Sequence, residues 1–384
     1  MRKEMKTGMI VLAVLTLFVL LPLSASADDD TTSLKEFFKQ GTVGGQLKTY
    51  FFAQAFDGEG LNDSEIWVNG GNLSYKTAKL YGFRLGATFQ AQFVGHKDDE
   101  DGKTAGTLDA DGAVLSEAYL AYKYTNTGIK LNRQYISGFP LLSGSGSRMI
   151  KESFTGYLVK NEDIPSTVLT AGLVTEYQTR TDKAGNVGPF NDIGDDGMVI
   201  FHAKNTSVKN LALQFMYANI LDDVAGYYAD AKYTIDVQFK PYVAGQVYYT
   251  DYDLDTKDSN GLFGFKGGLK VSDFDIFAGY TFSGGDQGDA SIFRGLGQGA
   301  YAVYTATTKS SGVQAYEADT DSFQIGTAYK YEGFAGKFLF SIFDSPAANA
   351  DLDEYTLNLL YKFSGLAEGL SVSTLNPSAN PLNL

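Results

Sequence analysis

Residues 81–93 read YGFRLGATFQAQF, and their period decides the fold. Tyr81, Phe83, Leu85, Ala87, Phe89, Ala91 and Phe93 are apolar, while Gly82, Arg84, Gly86, Thr88, Gln90 and Gln92 stand between them. A helix would spread the two sets over all its sides, whereas a strand sends successive side chains to opposite faces. The period of two recurs. Leu211, Leu213, Phe215 and Tyr217 alternate with Ala212, Gln214, Met216 and Ala218. Phe274, Ile276, Ala278, Tyr280 and Phe282 alternate with Asp275, Phe277, Gly279 and Thr281. Tyr355, Leu357, Leu359, Tyr361 and Phe363 alternate with Thr356, Asn358, Leu360 and Lys362.

The pattern predicts 17 strands, at 43–54, 66–77, 80–94, 113–124, 128–135, 151–160, 167–179, 197–205, 210–219, 226–234, 236–250, 260–270, 273–283, 321–331, 335–344, 353–363 and 369–375. Many have the roughly 9 to 11 residues of a tilted membrane strand. Aromatic residues stand at strand ends, where interfacial girdles belong, as at Tyr122, Tyr249, Phe282, Tyr329 and Tyr361. The connections alternate in length. Long ones at 55–65, 95–112, 136–150, 180–196, 251–259, 284–320 and 345–352 are separated by short ones such as 78–79, 125–127, 271–272 and 332–334, with a moderate one at 220–225 and almost none at 235. Short periplasmic turns alternating with longer external loops mark a transmembrane barrel. A soluble sandwich also has alternating strands, but nothing obliges its loops to alternate in length. The expectation is therefore an all-β, antiparallel transmembrane β-barrel of 16 to 18 strands, a single domain over 28–384. Its periplasmic N-terminal segment, 28–41, should hold a short helix, because Ser33 and Glu36 have capping-box spacing and Gly41 stands where a C-terminal glycine belongs.

The leader agrees with that compartment. Arg2, Lys3 and Lys6 precede an apolar run from Met9 to Leu21, and Ala25-Ser26-Ala27 offers a small-x-small cleavage pattern. These features predict a signal peptide over 1–27. The apolar run falls short of the roughly 18 to 20 residues of a helical span, and no later stretch reaches that length. There is no cysteine, hence no disulfide framework, thiolate metal site or cysteine nucleophile. Neither a cofactor nor a metal is expected. The net charge of −14 argues against nucleic-acid binding, since phosphate contacts need a basic field.

From Gly128 the chain runs GIKLNRQYISGFPLLSGSGSRMIKESFTGYLVKNEDIP. This resembles the porin D (Opr) family of Gram-negative outer-membrane specific porins, in which a Gly-Arg-Gln-like strand end leads into a loop of Pro-Leu-Leu and Ser-Arg-Met-Ile type. Pro140-Leu141-Leu142 and Ser147-Arg148-Met149-Ile150 match, while Asn132-Arg133-Gln134 has Asn in place of the usual Gly. Ser33 to Phe38 and Gly44-Gly45-Gln46-Leu47 are similar to the family too. The resemblance implies a monomer-sized pore of about 18 strands, with a trimer as the alternative assembly. It also implies inward-folded loops that narrow the pore, and basic residues that guide small carboxylate-bearing solutes, amino acids among them. Expected partners are small hydrophilic solutes, outer-membrane lipids and the barrel assembly machinery.

Charge partitions by face. If the aromatic parity of each strand faces lipid, the other parity lines the lumen. That parity holds eleven basic residues, Lys48, Arg84, Lys123, Lys130, Lys204, Lys232, Lys240, Lys266, Lys330, Lys337 and Lys362, against Glu117, Glu176, Asp230 and Asp275. The acid sits in loops, as in Asp98 to Asp101 and Asp192 to Asp196. A basic lumen between low-dielectric walls focuses anions, although lysines beside short turns also simply solvate a wet wall. Arg148, Ser147, Arg133 and Pro140 are candidates for the constriction. Gly144 and Gly146 let the loop of Arg148 fold inward. Arg133 has lipid parity, so either a β-bulge re-aims it or it lies at the rim.

Two other classes compete. A barrel hydrolase needs a nucleophile and a base, yet only His96 and His202 exist and neither neighbours a Gly-x-Ser-x-Gly elbow. A plugged structural or adhesive barrel could use the connection 284–320 as its plug. The C-terminal segment 364–384 is atypical, because Pro377 and Pro381 leave no expected room for a membrane strand and the last residue is not aromatic. Either a final strand is missing beyond 369–375, the favoured reading, or the barrel closes with 16 strands at Phe363 and the rest is a tail.

Overall fold

The computed structural model describes residues 30–55, 62–253, 257–286, 289–307, 310–345 and 352–381, so the expected signal peptide lies outside the described residues. The chain forms two compact units. Among the described residues, one comprises those of 30–164, 168–201 and 296–299, and the other comprises those of 165–167, 202–295 and 300–381.

The first unit opens with β1 (Asp30–Thr31), α1 (Leu34–Lys39), β2 (Thr42–Gln54), β3 (Ser64–Lys76) and β4 (Lys79–Leu80). It continues through β5 (Phe83–Asp98), β6 (Gly112–Tyr124), β7 (Thr127–Gln134), β8 (Ser153–Asn161), β9 (Thr167–Gln178) and β10 (Phe190–Asp192). The long strands β2, β3, β5, β6, β7, β8 and β9 pair in that order, each antiparallel to the next. β10 adds to β9, and β1 lies parallel to β4. β11 (Met198–Asn205) begins in this unit and ends in the second.

The second unit is a meander of β12 (Leu211–Ile220), β13 (Val224–Thr234), β14 (Tyr242–Tyr252), β15 (Asn260–Val271), β16 (Phe274–Ser283), β17 (Thr320–Tyr331), β18 (Phe334–Asp344), β19 (Leu352–Lys362) and β20 (Ser371–Pro381). Each of these strands pairs antiparallel with the next. Among the described residues 17 strands have eight residues or more, within the expected range. Two-residue turns close the hairpins β6–β7, β15–β16 and β17–β18, with positive φ at Thr125, Ser272 and Glu332. That geometry matches the right-handed twist of the flanking strands.

The burial pattern inverts that of a soluble protein. On β5, Phe83, Phe89 and Phe93 are 40–57% exposed, whereas Thr88, Gln90 and Gln92 between them are at most 4% exposed. β15 and β17 repeat this, with Phe263, Phe265, Phe323 and Ile325 exposed and Gln324 buried. Water would penalise such a surface, while a hydrocarbon solvent favours it; the apolar parity is the lipid-facing one.

The helix is present but confined to six residues; Ser33 Oγ accepts from the Glu36 N–H at 3.2 Å, and Phe37 is the anchor it buries. The strand expected at 236–250 starts at Tyr242, and 235–241 is a turn in which the Ile235 N–H donates to the Pro241 carbonyl at 2.8 Å. Ile235, Val237 and Phe239 keep a period of two there, but Lys240 takes φ +40° just before a proline and ends the pairing. On the opposite end of β13 the chain turns in only three residues, 221–223, so the alternation of long and short connections lapses around this hairpin.

The C-terminal expectation is corrected. β20 runs through Pro377 and pairs with β19 from Lys362↔Ser371 to Leu352↔Pro381. Pro377 and Pro381 are four residues apart and share one parity, so their nitrogens face the same edge. The donors that the two prolines lack are therefore missing from one edge of the strand alone.

Candidate pore constriction and the inward basic face

The connection 135–152 follows β7 and folds over the polar face of the first unit. Apolar contacts seat it: Met149 packs with Ile66, Val68 and Leu108, flanked by Tyr50, Phe52 and Val94. Pro140, Leu141, Leu142 and Ile150 are buried as well. Polar contacts then set its register. The Gln90 amide clamps the Lys151 backbone from both sides, with Nε2 donating to the carbonyl and Oε1 accepting from the N–H, each at 2.9 Å.

A β-bulge beneath the loop adds to this face. The register of β5 against β6 shifts between Thr88 and Phe89, which inserts Ser116 and turns both Ser116 and Glu117 inward. Ser116 Oγ accepts from Gln90 Nε2 at 2.5 Å, and Glu117 accepts from Thr88 Oγ1 at 2.7 Å.

Arg148 projects from the loop across β2. Its Nη1 donates to the Tyr50 hydroxyl at 2.5 Å, and its guanidinium lies 5.5 and 5.3 Å from the ring centroids of Tyr50 and Phe52. Lys48 Nζ donates to the Arg148 carbonyl at 3.5 Å. Ser147 Oγ is 2.9 Å from Ser145 Oγ and accepts from Arg180 Nη2 at 3.5 Å. Lys151 Nζ sits 3.9 Å over the Tyr135 ring. Burial holds the Lys151 ammonium below the ordinary lysine pKa; Glu117 opposes that shift and Lys76 reinforces it.

Arg84 and Lys130 share a cavity of about 380 Å³ with Lys79, Lys123, Lys160 and Phe139. Lys130 pairs with Glu117 at 3.3 Å and lies 3.9 Å over the Tyr119 ring. In the second unit Lys232 stands 3.7 Å over Tyr242 and Lys266 stands 3.9 Å over Phe277.

The candidates named from sequence thus fall into groups. Arg148, Ser147 and Lys48 come together, Arg84 and Lys130 share the cavity, and Pro140 is a buried anchor of the loop. Arg133 is held elsewhere, 4.0 Å over the Phe190 ring with Nη1 donating to the Leu115 carbonyl at 3.4 Å. Lys240 is an exposed residue of the 235–241 turn and not a strand residue, because Pro241 delays the start of β14. Sequence reasoning missed Tyr50, Lys151, Glu152 and Arg180. Glu152 is visible only after folding, since the groups that meet it come from residues 145, 177, 180 and 298.

Strands with a lipid-facing apolar parity, a polar opposite face and a loop folded across that face define a β-barrel pore of the outer membrane. Residues 35–335 match the family model for outer membrane porins of the OprD family, and the chain belongs to that family. It is therefore a passive outer-membrane channel for small solutes. Solved structures agree in fold. Acinetobacter baumannii OccAB1 is similar with a TM-score of 0.74 and 15% identity, covering 93% of this chain and 94% of that one. Pseudomonas aeruginosa OccK9 (OpdG) gives 0.74 and 15%, covering 91% and 95%. Pseudomonas aeruginosa OpdK, solved with vanillate, gives 0.73 and 16%, covering 91% and 96%. No curated protein matches the chain.

Proposed function

We propose that this porin favours anionic solutes, small carboxylates and amino acids among them. The carrying observation is the Arg148 loop. It sets a guanidinium against Tyr50 and Phe52, with Lys48 bonded to its own carbonyl, on the face that also bears Arg84, Lys130 and Lys151. The buried carboxylates there are already engaged, Glu117 with Lys130 and Glu152 with Arg180. Positive charge beside low-dielectric walls draws anions to the narrowest part of the path. A relative solved with vanillate, itself a carboxylate, supports the same reading. Liposome swelling tests it: a monocarboxylate should enter faster than a neutral sugar or a cationic amine of equal size, and equal rates would refute the preference.

A second reading has its own observation. Within the second unit, Tyr304, Thr305 and Thr307 of the long connection bond to the polar face. The Tyr304 hydroxyl donates to the Gly245 carbonyl at 3.3 Å, Thr305 Oγ1 is 2.5 Å from Thr281 Oγ1, and Thr307 Oγ1 donates to Glu354 at 3.0 Å. A loop so bound suits a plugged barrel, which would show no conductance steps in a planar bilayer; the pore reading requires them.

A further inference from the structure

We infer that Glu152 is the positioning residue that holds the Arg148 loop at one setting, by locking it to the tip of the long connection at 296–299. The inference rests on the reading of 135–152 as the constriction. Glu152 is 1% exposed, and its carboxylate is the meeting point of four segments. Oε2 accepts from the Ser145 N–H at 2.8 Å and from the Gln298 N–H at 2.9 Å. Oε1 accepts from the Tyr177 hydroxyl at 2.6 Å and lies 3.6 Å from Arg180 Nε. Arg180 in turn reaches Ser147, the neighbour of Arg148. Bonds to an ionised acceptor are stronger than neutral ones, and a buried carboxylate that loses them has no water to replace them.

Independent backbone contacts show that the two segments interlock. Leu142 and Leu296 form a parallel bridge, with the Ser143 N–H donating to the Leu296 carbonyl at 2.9 Å and the Leu296 N–H to the Leu141 carbonyl at 3.1 Å. The Gly299 N–H donates to the Ser143 carbonyl at 2.8 Å. Gly297 has φ +87°, and a Cβ there would stand 2.3 Å from the Ser143 carbonyl oxygen. Only glycine permits that approach. Glu152 itself is not exposed to solute. It acts through Ser147 and Arg148, by denying the loop a second position.

Single-channel recording on the purified full-length protein tests this. Wild type should show one stable open level. Glu152→Ala and Gly297→Ala should both split it into interconverting levels, while a barrel that still resists SDS at room temperature shows that folding is intact. Glu152→Asp should restore the single level in part, because the charge remains. The chain has no cysteine, so the pair Leu142→Cys with Leu296→Cys can be introduced cleanly. Oxidised in the Glu152→Ala background, this pair should return the single level, and reduction should remove it. A quiet single level in Glu152→Ala would overturn the inference. So would failure of the cysteine pair to cross-link, or a cross-linked channel that still flickers. Arg148→Ala separates this outcome from the functional reading. Changed selectivity there with a quiet Glu152→Ala would sink the lock alone. Unchanged selectivity with a flickering Glu152→Ala would sink the anion reading alone.

Discussion

Arg148 carries the largest single expectation at the residue scale. Its guanidinium is tethered through one hydrogen bond to Tyr50 and lies over two aromatic rings. Arg148→Ala removes the charge and the bulk, yet leaves Met149 and the Gln90 clamp to seat the loop. Conductance should rise and anion selectivity should fall, with the barrel still folded; planar-bilayer recording reads both. Lys151 gives a pH signature. Burial favours its neutral form, so it loses its proton at a lower pH than an ordinary lysine. Anion selectivity should therefore begin to decline on the alkaline side before the general lysine range is reached, and Lys151→Met should reduce that early step. Titrating the reversal potential in both proteins checks it. That the loop of Arg148 folds over the polar face could be read from Gly144 and Gly146, which precede the arginine. Glu152 was not legible, because its partners lie from 7 to 146 residues away and leave no local pattern.

At the scale of elements, strand period was a reliable guide wherever one face meets lipid, since a one-residue slip would exchange the two faces. It misled at 235–241, where the alternation of Ile235, Val237 and Phe239 continues but Pro241 interrupts the ladder. Proline misled in the opposite sense at β20, where equal parity confines the loss to one edge. The β19–β20 ladder spans 11 residue pairs, so deletion of 364–384 should lower the temperature at which the barrel loses SDS resistance or impair its assembly. A deletion variant that inserts and melts like the full chain would contradict a structural role for β20. Gln90 offers a smaller test on β5. Gln90→Leu leaves the Lys151 N–H without its side-chain partner, while the carbonyl keeps Gln178 Nε2 at 3.3 Å, so the cost should be about 1–3 kcal/mol for the one group left unpaired. Urea unfolding in detergent should show a loss of that order, and no loss would mean that the clamp contributes nothing.

For the whole molecule the sequence carries two opposed charge messages. The total is strongly negative, and much of that acid lies in connections such as 99–101 and 193–196. The polar face of the first unit is instead lined by Lys48, Arg84, Lys130, Arg148 and Lys151. Exposed loop carboxylates more than a Debye length from the path, about 10 Å at 0.1 M salt, are largely screened. Charges on a confined wall are screened far less, so the interior should set the selectivity. The reversal potential across a planar bilayer under a potassium chloride gradient tests this most directly. A basic interior requires a chloride-selective sign that weakens in Arg148→Ala, and a clear potassium-selective sign in the wild-type channel would contradict it.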